Sequence, residues 1–311
     1  MPKYINPYTD FGFKKLFGEE VNKAVLLDFL NQLLPLHHQI SEISFQNIEA
    51  LPDTREERKA FFDIHCIATS GERFIVEMQK AKVVHFVDRS MYYITYPIRE
   101  QAQRGDWDFK LSAIYFVGVL DFFYEPENSA VFRRDITLKD QYNVPFYHKL
   151  QLTYLQMPAF TKKETELIDR FDKWAYFLKN LENFEDIPQI LNEPVFEQAF
   201  QTAKMANLSP TEREEYEKSR LTYIGIRQVA ITAEQDGIQK GLQQGIQQGL
   251  EQGLQQGLQQ GLEQAQKEAE KKEIATVLGL YSNQIPLSVI ASSLKITEAR
   301  VNEIVKNHCD K

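Results

Sequence analysis

Residues 61–79 limit the possible folds more than any other stretch, because apolar and other side chains alternate on both sides of one short turn. Residues 69–71 read Thr-Ser-Gly, and three-residue hairpin loops often end in a glycine with a left-handed conformation. We therefore predict a β-hairpin in which Ala68 pairs with Glu72. A shift by one residue would mix its two faces, so the pattern itself selects this register.

The predicted register gives the hairpin one apolar face and one acidic face. The apolar face consists of three cross-strand pairs, namely Phe62 with Met78, Ile64 with Val76, and Cys66 with Phe74. On the other face Asp63 lies opposite Glu77, and Gln79 follows two residues later. Cβ atoms of such neighbours are about 4.5–5.5 Å apart, so both carboxylates ionise readily only if a cation lies between them. Oxygen ligands favour Mg²⁺, which can polarise a phosphate and activate a bound water for phosphodiester hydrolysis.

A second interpretation of the same acids is a solvated surface whose charges are neutralised by nearby lysine or arginine side chains. Ile67 and Ile75 share the acidic face, which is unusual for a surface that contacts only water. His65 is explained equally well by a structural role and by a functional one, because it neighbours the predicted core residue Cys66. Both interpretations of the acids therefore stay open on spacing alone.

The spacing of apolar residues elsewhere predicts an α+β or α/β chain with a mixed sheet rather than a sandwich. Helices are expected at Asp10–Leu34 with a break at Gly18, at Val83–Gln103 with a kink or break at Pro97, and from Thr161 to about Gln235. Strands are expected around Ile43 and at Ala60–Ala68, Arg73–Gln79, Leu111–Phe122, Val131–Leu138 and Phe146–Met157. The segment Leu111–Phe122 is almost entirely apolar, as suits a strand buried on both faces.

Seven glycines recur at every fourth position from Gly237 to Gly261, and each is followed by isoleucine or leucine. A glycine costs a helix about 0.8–1 kcal/mol relative to alanine, so seven cost an isolated helix about 6–7 kcal/mol. Two interpretations remain open: a flexible Gly/Gln linker, or a helix that packs its glycine face closely against a partner. In a helix the Ile/Leu stripe drifts by about 40° per repeat, which favours self-association through a right-handed contact.

The C-terminal residues contain three short helical patterns, at Ile274–Tyr281, Leu287–Leu294 and Thr297–Val305, with Thr297 as the expected N-cap of the third. Three short helices joined by tight turns resemble a helix-turn-helix unit. A small helical bundle without nucleic-acid contact is the other interpretation. It is favoured by the acids Glu298 and Glu303 on the third helix.

Composition and charge restrict the class of protein. Apolar residues make up 43% and charged residues 26%, which excludes a disordered chain. The net charge of −8 excludes a histone-like protein that coats nucleic acid by charge alone, but not a local nucleic-acid cleft. With only Cys66 and Cys309, we expect neither a disulfide framework nor a cysteine zinc site, and we expect a cytoplasmic location. The N-terminus is not typical of a signal peptide, and the longest apolar run, about Ala113–Leu120, is too short for a membrane helix.

The hairpin resembles the core of the PD-(D/E)XK nuclease superfamily, and the chain resembles more specifically the PD-(D/E)XK nuclease family transposases, also described as recombination-promoting nucleases. The similar segments are the opening Thr9–Gly18, the strand segments Phe62–Ile64 and Val76–Gln79, and the helix residues Arg89, Tyr92, Tyr93 and Gln101. Gly-Gln repeats also occur in that group. The resemblance covers roughly residues 4–265 and rests on the combination of these segments.

The resemblance implies a restriction-endonuclease-like mixed sheet core flanked by helices, and it implies DNA cleavage with Mg²⁺ or, as an alternative, Mn²⁺. By position, Asp63 and Glu77 would hold the metal. Gln79 stands where the superfamily motif often has lysine, so it can orient the attacking water but carries no charge. Pro52–Asp53 matches the Pro-Asp pair in the name of the superfamily motif. It lies in the polar connection Leu51–Arg58, however, and we interpret Asp53 as a turn residue.

Five further residues are candidates for supporting roles. Asp10 is by resemblance an auxiliary acid near the metal, although a charge interacting with the helix dipole explains it as well. Lys80 should point to the opposite face of its strand, which makes it a weak auxiliary substitute for the missing lysine. We expect Lys14, Arg73 and Arg89 to contact DNA. For Arg89 a surface ion pair is an equally good explanation.

These expectations divide the chain into a nuclease-like core at residues 1–160, a helical region at 161–236, the Gly/Gln-repeat helix or linker at 237–272, and a small helical tail at 273–311. The expected function is that of a metal-dependent DNA endonuclease, linked to DNA recombination or a mobile element. It would act as a homo-oligomer through the repeat and without a membrane. The alternative is a catalytically inactive nuclease-fold protein that assembles through the repeat. Gln79 in place of lysine and the acidic net charge favour this alternative.

Overall fold

The computed structural model describes residues 2–34, 39–46, 49–50, 60–82, 84–103, 105–124 and 131–309. The chain divides into two compact units, which we call unit 1 (Met1–Ala233) and unit 2 (Glu234–Lys311). Asp53, the predicted turn residue, lies outside the described residues. Within the described ranges, no helix has the length and apolar character needed to cross a membrane.

Unit 1 combines helices and strands in the order that the sequence predicts. Its strands are β1 (Ile43–Phe45), β2 (Glu49–Ala50), β3 (Ala60–Phe61), β4 (Ile64–Ala68), β5 (Arg73–Gln79), β6 (Ile114–Leu120), β7 (Arg133–Lys139) and β8 (Pro145–Gln156). Its α-helices are α1 (Asp10–Phe17), α2 (Lys23–Asn31), α3 (Phe86–Arg99), α4 (Arg170–Asn180), α5 (Pro194–Ala203) and the beginning of α6 (Pro210–Ser282). The predicted break at Gly18 separates α1 from α2, and Pro97 lies inside α3.

Six strands form one mixed sheet in the order β1-β4-β5-β6-β8-β7, and β2 pairs with β3 separately. β5, β6 and β8 run parallel to one another, whereas β1–β4, β4–β5 and β7–β8 are antiparallel pairs. Every residue of β6 is buried, as expected for a central strand with both faces covered. The mixed sheet with flanking helices confirms the predicted fold class.

Apolar side chains cover both faces of the sheet. The larger core contains residues of α1, α2, α4 and α5, and in it the rings of Phe17 and Phe29 pack against Trp174. The smaller core contains residues of α3, such as Phe86, and the β6 residue Phe116. Alternate residues of β5 and β6 belong to different cores because successive side chains of a strand point to opposite faces.

The hairpin of β4 and β5 has the predicted register. Ile64 pairs with Val76, and Cys66 pairs with Phe74. Gly71 closes the turn with a φ of 100°, which is the left-handed conformation that favours glycine. The turn residue and the alternation of apolar side chains therefore agree on one register, as the sequence analysis expected.

The predicted pairing of Phe62 with Met78 on one apolar face is wrong. Met78 lies in the larger core, whereas Phe62 lies in the smaller core with its ring edge-on to Tyr93 and Tyr96. The cause is a bend at Asp63 between β3 and β4, which shifts the alternation of side chains by one position. The same bend removes Asp63 from the regular ladder.

α1 begins with a tightly packed turn. The Thr9 hydroxyl accepts a hydrogen bond from the Gly12 amide at 2.9 Å and donates one to the Asn6 carbonyl at 2.8 Å. A Cβ atom on Gly12 would lie 2.1 Å from the Asn6 carbonyl oxygen, so only glycine fits. This turn fixes Asp10 at the first position of the helix.

α6 continues as one helix through all seven glycines of the repeat. The isoleucines and leucines that follow the glycines are between 57% and 75% exposed. These side chains, which we call the apolar stripe, are Ile238, Leu242, Ile246, Leu250, Leu254, Leu258 and Leu262. The stripe therefore has no apolar cover within the described part of the chain.

Unit 2 contains the remainder of α6 together with α7 (Leu287–Leu294) and α8 (Glu298–Cys309). Its buried core residues are Val277, Ile290, Ala291, Val301 and Ile304. The hydroxyl of Thr297 accepts a hydrogen bond from the Arg300 amide at 3.3 Å, as predicted for an N-cap. The guanidinium of Arg300 pairs with Glu270, Glu273 and Glu303, so this basic group is engaged inside the unit.

Candidate active site

The two predicted acids lie where the end of β5 meets the bend before β4. Glu77 is buried, with only 4% of its surface exposed, and Asp63 is partly exposed. Burying a carboxylate costs free energy unless hydrogen bonds or an opposite charge compensate for it. Two such groups side by side therefore require an explanation.

Hydrogen bonds hold the two acids next to each other. The Asp63 amide donates to Glu77 Oε1 at 3.1 Å, and the Met78 amide donates to Asp63 Oδ2 at 2.7 Å. The side-chain Nε2 of Gln79 donates to Glu77 Oε2 at 3.1 Å. Each carboxylate is thus fixed by the chain segment that carries the other one.

Both acids have raised pKa values. Burial is the main cause for Glu77, whose pKa rises to about 8, and the negative charge of Asp63 adds to it. Burial also raises the pKa of Asp63, which the hydrogen bond from Met78 lowers and the charge of Asp10 raises. Neither carboxylate forms an ion pair with another described residue. A cation placed between them would therefore favour their ionised forms and release protons.

Helix α3 contributes a cation and an aromatic ring to the surroundings of the pair. The positive charge of Arg89 lowers the pKa of Glu77. The Arg89 guanidinium lies 5.7 Å from the ring centre of Tyr93 and 5.9 Å from that of Phe86, which restrains its position. Burial and the charge of Glu77 raise the pKa of Tyr93 in turn.

A cleft of about 230 Å³ opens beside Asp63. The residues that line it are Asp10, Asp63, Met78, Gln79, Lys80, Ala81 and Ile226. Burial lowers the pKa of Lys80, whereas the charges of Asp10 and Asp63 raise it. Lys14 pairs with Asp10 at 3.0 Å between Nζ and Oδ1, and its positive charge lowers the pKa of Asp63. Two acids and Lys80 thus line the cleft, and Lys14 pairs with one of these acids.

The structure gathers all the predicted site residues around this pair except Arg73. Arg73 lies at the other end of β5, about 20 Å from Gln79 along an extended strand, and its Nη1 donates to Glu100 at 3.0 Å. The sequence places Lys80 on the opposite face of the strand, but it lines the same cleft as Asp63. The reason is that β5 ends at Gln79, so strand alternation no longer controls the next side chain.

The donor set fits a hard divalent cation. Mg²⁺ prefers oxygen ligands and usually keeps several waters beside one or two carboxylates. The raised pKa of Glu77 next to Asp63 supports the fit, because a cation between the two would remove their repulsion. No group of three or more His, Cys, Asp or Glu side chains that could hold a metal exists among the described residues. Asp63 and Glu77 are the carboxylates that could hold such an ion, together with water.

Comparison with models of protein families identifies the family of this chain. The model of the family described as PD-(D/E)XK nuclease family transposase matches residues 7–230. The chain belongs to this family. Membership of the PD-(D/E)XK nuclease family transposases supports a nuclease or mobile-element role and confirms the resemblance seen in the sequence. No curated protein and no solved structure matched the chain.

The sequence pattern does not reveal two residues near the acid pair. Ile226 of α6 lines the cleft, but no local spacing links it to the hairpin. The amide of Asp121 donates to the Gln79 carbonyl at 2.9 Å. Asp121 directly follows the buried strand β6, and a polar residue at the carboxyl end of a parallel strand is a signal that could have found it.

Proposed function

We propose that this protein is a metal-dependent DNA endonuclease that hydrolyses phosphodiester bonds in DNA recombination or in the movement of a mobile element. The observation that carries the proposal is that backbone amides hold the carboxylates of Asp63 and Glu77 next to each other, with Asp63 lining a cleft. The net charge of −8 does not oppose DNA binding here, because Lys14, Lys80 and Arg89 surround the pair. Such a local basic patch can bind a phosphate backbone on an acidic protein.

Asp63 and Glu77 would hold the divalent cation, Mg²⁺ in the first place and Mn²⁺ as its substitute. When bound, such an ion polarises a phosphate oxygen and lowers the pKa of a coordinated water. The burial of Glu77 strengthens electrostatic interactions at the site, because the surroundings have a lower effective dielectric constant than water.

The neighbouring side chains position the reactants. Gln79 holds Glu77 through its Nε2 and would orient the attacking water with its carbonyl oxygen. Lys80 supplies at the cleft the positive charge that Gln79 lacks, and it would donate hydrogen bonds to a phosphate oxygen. Asp10 acts as the auxiliary acid, and Lys14 balances its charge. Arg89 would contact the DNA backbone from α3.

The direct test is the cleavage of supercoiled plasmid DNA by the full chain. We expect nicking with Mg²⁺ or Mn²⁺ and none in EDTA, because the buried Glu77 and its neighbour Asp63 ionise together readily only with a cation between them. Gel electrophoresis separates the nicked and supercoiled forms. Equal cleavage in EDTA would refute the metal dependence. Absence of cleavage with every divalent ion, in a chain that binds Mg²⁺ by calorimetry, would favour the inactive assembly protein instead.

A second function, self-assembly through α6, is favoured by a separate observation. In a single copy the apolar stripe is exposed to water. The seven glycines also destabilise its helix by about 6–7 kcal/mol relative to alanine. A second copy of the same helix would bury the stripe, and the glycines would let the two backbones approach closely. Lys240, Glu251 and Glu263 are the only charged residues between Gly237 and Gln264, so two copies do not repel each other. We infer that the chain forms a homo-oligomer through this segment, whether or not it cleaves DNA.

Replacing Leu250 and Leu254 by glutamate should dissociate the oligomer. Burying a leucine contributes about 1.5–3 kcal/mol, so the loss of two weakens association by about 100-fold or more. The matched control replaces Gln248 and Gln252 by glutamate, because these two lie on the side of the helix opposite the two leucines. Sedimentation velocity measures the oligomeric state. Wild-type chains that stay monomeric at all concentrations, or the same dissociation in both variants, would contradict this assembly.

A further inference from the structure

A second cavity, of about 370 Å³, lies in unit 1 next to the candidate active site. Side chains from the N-terminal segment, the end of β6, α4 and α6 line it, among them Tyr8, Asp121, Lys179, Tyr223 and Arg227. None of these residues takes part in the chemistry proposed for the acid pair. We call this space the Arg227 cavity.

The Arg227 cavity and the active-site cleft are lined by neighbouring residues. The amide of Asp121 donates to the carbonyl of Gln79 at 2.9 Å, so one backbone hydrogen bond connects a residue of the cavity with a residue of the cleft. On α6, Ile226 lines the cleft, and the next residue, Arg227, lines the cavity. A group bound in the cavity therefore lies close to a group bound beside Asp63.

The acidic groups of the cavity already have hydrogen-bond donors. The Tyr223 hydroxyl donates to Asp121 Oδ2 at 2.7 Å, and burial raises the pKa of both groups. The Asn6 side chain donates to Glu182 Oε2 at 2.7 Å. The positive charges of Arg227 and Lys179 lower the pKa of Asp121, so these cations balance part of the negative charge of the cavity.

Several hydrogen-bond donors of the residues that line the cavity have no acceptor among the described residues. Arg227 donates through Nη1 to the Tyr223 hydroxyl at 3.2 Å, and its other N–H groups have no acceptor among the described residues. Lys179 donates to the Phe160 carbonyl, which uses one of its three N–H groups. The hydroxyl of Tyr8, a residue only 7% exposed, borders the cavity without a hydrogen-bond partner in the described ranges. Such an excess of donors, two of them cationic, fits the oxygens of a phosphate group.

We propose that the Arg227 cavity binds a phosphodiester group of the same DNA strand, next to the phosphate at Asp63 and Glu77. This inference rests on the proposed nuclease function for the identity of its ligand. Arg227 and Lys179 contact the phosphate oxygens through their cationic groups, and Tyr8 donates a hydroxyl hydrogen bond. Tyr223 is a positioning residue that holds Arg227 and is itself held by Asp121. Contacts of this kind fix the register of a nucleic acid without reading its sequence.

The test measures the binding of a fluorescein-labelled DNA duplex by anisotropy in EDTA, where cleavage does not occur. We expect Arg227→Gln to raise Kd about tenfold and to reduce the slope of log Kd against log salt by about one, as for one lost phosphate contact. Arg227→Lys should keep the salt slope because it keeps the charge. Tyr8→Phe should raise Kd several-fold without changing the slope, because it removes a neutral donor. Lys218→Gln, on the exposed side of the same helix in a surface pair with Glu214, is the control and should bind like the wild type.

Wild-type Kd and salt slope in either Arg227→Gln or Tyr8→Phe would overturn the proposal. Calorimetry with inorganic phosphate separates a DNA site from a site for a free anion. Phosphate binding that Arg227→Gln abolishes while DNA binding stays unchanged would assign the cavity to the free anion and overturn the DNA contact. The binding measurement in EDTA does not depend on cleavage. If the chain never nicks DNA, the proposed nuclease function is refuted, but the DNA contact in this cavity can still be tested.

Discussion

Asp63→Asn and Glu77→Gln should each reduce Mg²⁺-dependent plasmid nicking by at least about 100-fold, because even residues that only support a metal ligand contribute 10–100-fold to metal affinity or activity. Both substitutions keep the size of the side chain and remove the negative charge that would hold the cation. The amide side chains that replace the two carboxylates would also keep an oxygen that can accept the backbone hydrogen bonds between the two segments. The measurement is the initial rate of nicking at saturating Mg²⁺.

The matched control for these variants is Asp88→Asn. Asp88 lies on α3, its side chain is 79% exposed, and it pairs only with His85 among the described residues. We expect the Asp88→Asn variant to nick at the wild-type rate. This result would show that the loss of one negative charge near α3 is not sufficient to reduce nicking. Unchanged nicking by both Asp63→Asn and Glu77→Gln would remove these acids from the catalytic site.

Without divalent ions, the free energy of unfolding should fall as the pH rises from about 4.5 to about 8. Burial next to Asp63 raises the pKa of Glu77 from 4.5 to about 8 in the folded chain. A folded state that binds the proton more tightly is most stable below the unfolded pKa, and this stability is lost as the pH rises through the folded pKa. The effect of Glu77 is on the order of a few kcal/mol, because each pKa unit corresponds to about 1.4 kcal/mol.

Urea unfolding at pH 5, 6.5 and 8, in EDTA and in Mg²⁺, measures this effect. Asp121 also has a raised pKa and contributes in the same direction, so the informative quantity is the difference between wild type and Glu77→Gln. This difference should grow with pH in EDTA and shrink in Mg²⁺, because metal ions bind the ionised carboxylates and stabilise the folded state by mass action. If the free energy of unfolding depends equally on pH in both proteins in EDTA, Glu77 does not have a raised pKa in the folded chain.

The fold was predictable where local pattern and turn chemistry agree. The register of β4 and β5 follows from alternation and from Gly71, and the buried strand β6 follows from an unbroken apolar run. Phe62 was misplaced because a bend of one residue at Asp63 leaves no trace in the spacing of apolar residues. The Gly/Gln repeat could not be assigned from propensity, because glycine disfavours a helix while the fourfold spacing favours one.

The candidate site was predictable only as far as the hairpin reaches. Asp63, Glu77 and Gln79 lie within one hairpin, so short-range geometry relates them, and their roles stay predictions until variants are measured. The position of Lys80 depends on where β5 ends, which spacing does not reveal. The contact of Tyr223 with Asp121 joins residues that are 102 positions apart, and only tertiary structure brings them together.

The cleft is built from parts that leave the ribosome at very different times. Asp63 and Glu77 are only 14 residues apart, so both acids are synthesised within a few seconds of each other at about 5–20 residues per second. Ile226, which lines the same cleft, is translated 149 residues after Glu77, or roughly 7–30 s later at 5–20 residues per second. The cleft is therefore complete only several seconds after its acids have been synthesised, and a message truncated in between would yield a chain whose cleft lacks Ile226.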